Sequence, residues 1–153
     1  MTGELSLEQK KSLIKKQACF SGLNDEEIGA LAKLLKEKVF KSGDVVVNEG
    51  DSVDSFFLLA DGEAQVQKLN YNESTPKLED VAVLSAKNNA AIGLDEKGFY
   101  SLTGLRTASV KAKTDLVTLY MPITLFHGFA LFYSHVAEAM RDQARSMTGL
   151  RRA

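Results

Sequence analysis

The chain has 153 residues, 44% of them apolar and 25% charged, with a formal net charge of −1. That is enough for one domain with its own core, and too little charge of either sign to draw in nucleic acid or an anionic membrane in bulk. The lone Cys19 excludes an internal disulfide and suits a reducing cytoplasm; no apolar run approaches the roughly 20 residues that cross a bilayer, and the polar N-terminus lacks the apolar centre of a signal peptide.

Helices are predicted first, within residues 5–38. Ser6 with Gln9 reads as a capping box, and Leu13 and Ile14 begin an apolar face. Asn24 with Glu27 reads as a second box, followed by Ile28, Leu31, Leu34 and Leu35 at helical spacing. From Val39 the period shortens to β-rich runs punctuated by S-G-D, E-G-D and D-G, whose glycines Gly43, Gly50 and Gly62 tolerate positive φ. Short, evenly spaced strands of this kind suggest a sandwich or barrel over 39–121. Asn70–Lys77 is polar and reads as a hairpin tip, with a strand resuming at Glu79. Arg106–Ala112 and Leu116–Met121 read as two further strands. Pro122 then suits the first turn of a helix running over 122–147. Phe129, Phe132, Val136, Met140, Gln143 and Met147 form a stripe along it, which fits core packing, a lid or a dimer seam. The order of elements is α+β.

The chemistry concentrates between Gly93 and Val110. Arg106 can offer a phosphate two parallel hydrogen bonds, and the small residues Thr107 and Ala108 allow their backbone amides to come close. The competing reading pairs Arg106 with a nearby carboxylate, Asp95 or Glu96. Elsewhere the sequence offers no G-x-S-x-G, no Walker-type loop and no Cys–His pairing. Its two histidines, His127 and His135, stand eight apart beyond the strands, which argues against a metal-dependent enzyme on a cupin-like barrel.

Two segments resemble the cyclic-nucleotide-binding domain family. Phe40–Val66, with Gly43, Gly50 and Gly62 at its turns, is similar to the first half of that domain. Arg106–Thr114 (R-T-A-S-V-K-A-K-T) is similar to the end of its phosphate-binding cassette. The resemblance spans roughly residues 15–145. It implies a double-stranded β-helix, or jelly roll, between N-terminal helices and a long C-terminal helix. It implies a non-catalytic sensor without a cofactor, whose ligand is cyclic AMP or cyclic GMP, held at Gly93, Glu96, Gly98, Arg106, Thr107 and Ala108. Glu96, ten positions before Arg106, has the spacing of the ribose-binding glutamate in catabolite-activator-type members, and Gly98 suits that subgroup. The family's glycine before that glutamate is here Asp95, and Gly93 stands three residues before Glu96. A second carboxylate about 6 Å from a phosphate would cost up to about 3 kcal/mol at an effective dielectric near 20, similar to the about 1.5–3 kcal/mol of one charge-assisted bond.

The expected mechanism has the ligand phosphate engage Arg106, the loop Gly93–Leu105 close, and a hinge near Pro122 move the C-terminal helix. The alternative is a degenerate domain that binds no nucleotide and serves as an interaction scaffold. The expected partners are a second copy joined through the C-terminal helix or another protein, with no membrane contact. The chain ends at Ala153 without room for the helix-turn-helix of the family's transcription regulators. Direct DNA binding is therefore not expected, and the chain is a stand-alone module or a piece of a longer protein.

Overall fold

A computed structural model describes residues 5–72, 74–95, 98–99 and 104–149. Both capping boxes form. Ser6 Oγ accepts from Gln9 N at 3.1 Å while Ser6 N donates to Gln9 Oε1 at 2.7 Å, which starts α1 (Leu7–Lys15). Asn24 Oδ1 accepts from Glu27 N at 2.9 Å while Asn24 N donates to Glu27 Oε1 at 2.8 Å, which starts α2 (Asp25–Leu34). Each box satisfies two helix-end amides that would otherwise lack a partner. A 3-10 turn, Ala18–Phe20, lies between the two helices.

Among the described residues ten strands follow: β1 (Lys36–Phe40), β2 (Val45–Val47), β3 (Ser55–Asp61), β4 (Glu63–Asn70), β5 (Lys77–Ser85), β6 (Ala91–Ile92), β7 (Leu94–Asp95), β8 (Gly98–Phe99), β9 (Ser109–Ala112) and β10 (Leu116–Pro122). All pairings are antiparallel. The first sheet has the order β1-β10-β3-β6, the second β2-β9-β4-β5, and β7-β8 is a small ribbon. The two large sheets are separate ladders packed face to face in a jelly-roll arrangement. Gly43, Gly50 and Gly62 all take positive φ at the turns.

Strand β3 explains why the run S-F-F-L-L is apolar without alternation: both its faces are covered. Phe56 and Leu58 point into a core shared with Ile14, Phe20, Leu119, Phe126, Phe129 and Val136. Phe57 and Leu59 point into a second core between the sheets, with Phe40, Ala64, Val110 and Leu116. Phe56 and Phe126 meet edge to face at 5.8 Å between centroids, and Phe20 lies 6.1 Å from Phe56.

Three expectations require correction. The N-terminal helical region stops at Leu34 rather than reaching residue 38. Leu35 is already extended (φ −69°, ψ 131°), and Lys36–Lys38 belong to the edge strand β1. The polar K-E-K reads as a helix end, yet an edge strand tolerates it, and Lys38 lays its stem and charge over Phe40 and Tyr120 at 5.7 and 4.8 Å. The single C-terminal helix is two helices, α3 (Ile123–Phe132) and α4 (Ser134–Gly149), broken at Tyr133 (φ −105°, ψ 81°). The break divides the predicted stripe: Phe129 and Val136 are buried, whereas Phe132 is 80% exposed. Arg106 also precedes its strand, since β9 begins at Ser109.

Candidate functional site

The segment from Gly104 to Ser109 is stapled to the turn before β3. Val53 N donates to Gly104 O at 2.6 Å, Arg106 N to Asp51 O at 2.7 Å and Gly50 N to Arg106 O at 2.8 Å. Glu49 N donates to Ser109 Oγ at 2.8 Å. These bonds set the backbone of Arg106 and turn its side chain inward, where it is 7% exposed.

The guanidinium is held from behind. Nη2 donates to Ser55 O at 2.9 Å and to Ser55 Oγ at 3.2 Å, and lies 3.6 Å from Asp54 Oδ1. Burial pulls the Arg106 pKa below its ordinary value, while Asp54 and Asp51 oppose that pull. An arginine in this range stays charged. Asp54 is 81% exposed, so water screens much of its attraction. Nη1 and Nε make no hydrogen bond among the described residues, and neither do the backbone amides of Thr107 and Ala108.

That donor set opens onto a cavity of about 550 Å³ lined by Gly93, Arg106, Thr107 and Ala108 together with apolar side chains of both sheets. Its size falls in the roughly 300–1,000 Å³ range of small-molecule sites. Gly93 is required here. It has φ +90°, and a Cβ would lie 3.0 Å from Ser55 O and 3.1 Å from Arg106 Nη1. Four predicted site residues therefore meet at one end of one cavity. Gly98 lies in the β7-β8 ribbon, opposite Asp95. Glu96 lies outside the described residues.

Sequence reasoning missed Ser55, Asp54, Leu94 and Lys68. Among the described residues the carboxylate that approaches Arg106 most closely is Asp54, 52 positions away, with Asp51 also acting on its charge. Leu94, directly after Gly93, is a buried cavity wall. The described lining contains no carboxylate and nothing from α3 or α4. It does contain Gln17 and Ala18, at the start of the 3-10 turn. That turn packs against both β7 and α4. Asp54 O also accepts from Ile123 N at 2.8 Å, so the segment that holds Arg106 also holds the first residue of α3. On the far side of α2, buried Glu27 takes a 2.8 Å contact from His135 Nδ1 of α4. The described residues hold no cluster of three or more His, Cys, Asp or Glu suited to a metal, and no helix long and apolar enough to cross a membrane.

A family profile described as the cyclic nucleotide-binding domain matches residues 37–131. Over 142 residues the chain is 28% identical to a cAMP-dependent protein kinase regulatory subunit of Schizosaccharomyces pombe, covering 92% of this chain and 30% of that protein. Over 61 residues it is 33% identical to a cGMP-dependent protein kinase of Plasmodium berghei, covering 40% of this chain and 7% of the relative. The chain thus spans less than a third of either relative. The N-terminal domain of a transcriptional regulator from Streptomyces coelicolor A3(2) superposes with a TM-score of 0.74 at 21% identity, over 91% of this chain and 92% of that one.

Proposed function

The chain belongs to the cyclic nucleotide-binding domain family, whose profile covers more than half of it, and we propose that it is a non-catalytic regulatory module that takes a cyclic nucleotide in this cavity. The observation that carries the reading is the state of Arg106. It is buried and charged, anchored from behind by Ser55 through Nη2, and it lines the cavity beside Gly93, Thr107 and Ala108. A cyclic phosphate matches that donor set, with each charge-assisted bond worth about 1.5–3 kcal/mol. The relatives' names, a cAMP-dependent regulatory subunit and a cGMP-dependent kinase, support a cyclic nucleotide as the ligand class.

The readout runs through two contacts. One is the 3-10 turn, which touches the cavity, β7 and α4. The other is the Asp54–Ser55 segment, which joins Arg106 to the start of α3. A ligand that prefers one arrangement of these contacts shifts the C-terminal helices toward it.

Isothermal titration with cyclic AMP and cyclic GMP tests the reading. Saturable binding of at least one, lost in Arg106→Ala with the fold intact by circular dichroism, is the expected result. Absence of binding by both nucleotides at millimolar concentration would replace this reading with that of an interaction scaffold.

A further inference from the structure

Resting on the reading of the cavity as a cyclic-nucleotide site, we infer that Lys68 selects the base, and that the preferred ligand carries a 6-oxopurine. The floor of the cavity on the second sheet is a rung of four aliphatic side chains. Val47 pairs with Val110, Val110 with Val66 and Val66 with Ala82, and all four line the cavity. Directly paired residues share one sheet face, so this rung is a flat apolar surface on which a planar base can lie. Lys68 stands two residues beyond Val66 on β4, on the same face, and also lines the cavity. It is the only charged side chain that the second sheet contributes to the described lining.

Its ammonium is not locked into an ion pair, although a carboxylate stands directly across the ladder from it. The residue across from Lys68 on β5 is Glu79, whose Oε2 accepts from Asn70 Nδ2 at 3.0 Å, and Lys68 forms no ion pair among the described residues. Arg106 is fixed to β3 of the first sheet through Ser55, whereas Lys68 rises from the opposite sheet. A ligand whose phosphate sits on Arg106 and whose base lies on the rung therefore turns a base edge toward Lys68.

An ammonium only donates hydrogen bonds. It favours a base edge with two adjacent acceptors and disfavours one that carries a donor. A 6-oxopurine offers O6 beside N7, whereas a 6-aminopurine sets an N6–H donor beside N7. Gln17, one of two side-chain amides in the described lining, is already tied to Asn89 O through Nε2 at 2.9 Å.

The test titrates the chain with cyclic GMP, cyclic IMP and cyclic AMP. Cyclic IMP differs from cyclic AMP essentially at position 6, so it isolates the oxo group. The expected result is that cyclic GMP and cyclic IMP bind on the order of tenfold tighter than cyclic AMP. Lys68→Met should bring all three to the cyclic AMP affinity, and Lys68→Arg should keep the preference. Equal affinities of cyclic IMP and cyclic AMP in the unaltered chain would overturn the inference while leaving the proposed function standing. So would an equal weakening of all three by Lys68→Met, which would place Lys68 on the shared phosphate. Failure of all three to bind overturns the proposed function and this inference with it.

Discussion

A single methyl group at Gly93 would act on the anion site in two ways. It would force an L-residue into φ +90° and would press on Ser55 O and Arg106 Nη1 at about 3 Å. Gly93→Ala should therefore cost about 1–3 kcal/mol of stability in urea unfolding. Because the guanidinium must shift, it should also weaken nucleotide binding more than that loss of stability explains. Charge at Arg106 itself should not limit the working pH. A cation whose folded pKa is lowered burdens the fold wherever it is protonated, and the burden lifts only as pH rises through that folded value, far into the alkaline range for an arginine. Nucleotide affinity measured between pH 6 and 9 should accordingly show no titration step from this group. That Arg106, Thr107 and Ala108 line one cavity was legible because they are contiguous in the chain. So were both capping boxes, whose partners lie three residues apart. Ser55 and Asp54 were not, since nothing near residue 106 indicates which turn, some 50 residues earlier, will supply its acceptors. Lys68 was hidden for a related reason: only strand register decides that it faces the cavity.

At the scale of elements, the contact that matters is that between α4 and the 3-10 turn. A Cβ on Gly22 would lie 3.1 Å from Ala139 Cβ and 3.5 Å from Ala139 O. Gly22→Leu should push α4 off the turn, with a cost of about 1–3 kcal/mol and faster amide exchange within α4 than elsewhere. His135→Ala removes the contact to Glu27 from the other side. Since Glu27 keeps its bond from Asn24 N and His135 is half exposed, the loss should be near 1 kcal/mol by chemical denaturation. The break that creates α4 was not legible. F-Y-S at 132–134 contains no glycine or proline, and apolar spacing carries through it. What ends α3 is the backbone of Tyr133, whose N–H still bonds Phe129 O while its ψ leaves the helical region. Strand β1 was masked likewise, by lysines that suit a helix end as well as a sheet edge.

For the molecule as a whole, β3 is the common wall of both cores. Phe56→Ala should cost about 3–5 kcal/mol, a large share of the roughly 5–15 kcal/mol that holds a domain together. Helices and sheets should be lost together, so far-UV and near-UV circular dichroism should report one coincident transition. The jelly-roll class was legible because the glycine turns and short apolar runs are repeated many times. The division of labour along β3 was not, because a strand covered on both faces carries no alternation to read. The same strand begins at Ser55, which holds Arg106 from behind. On the proposed reading, a cation held in place by its own fold has little left to rearrange at encounter, so changes at Ser55 should alter residence time far more than arrival rate. In a cell that would set how long a signal outlasts its source.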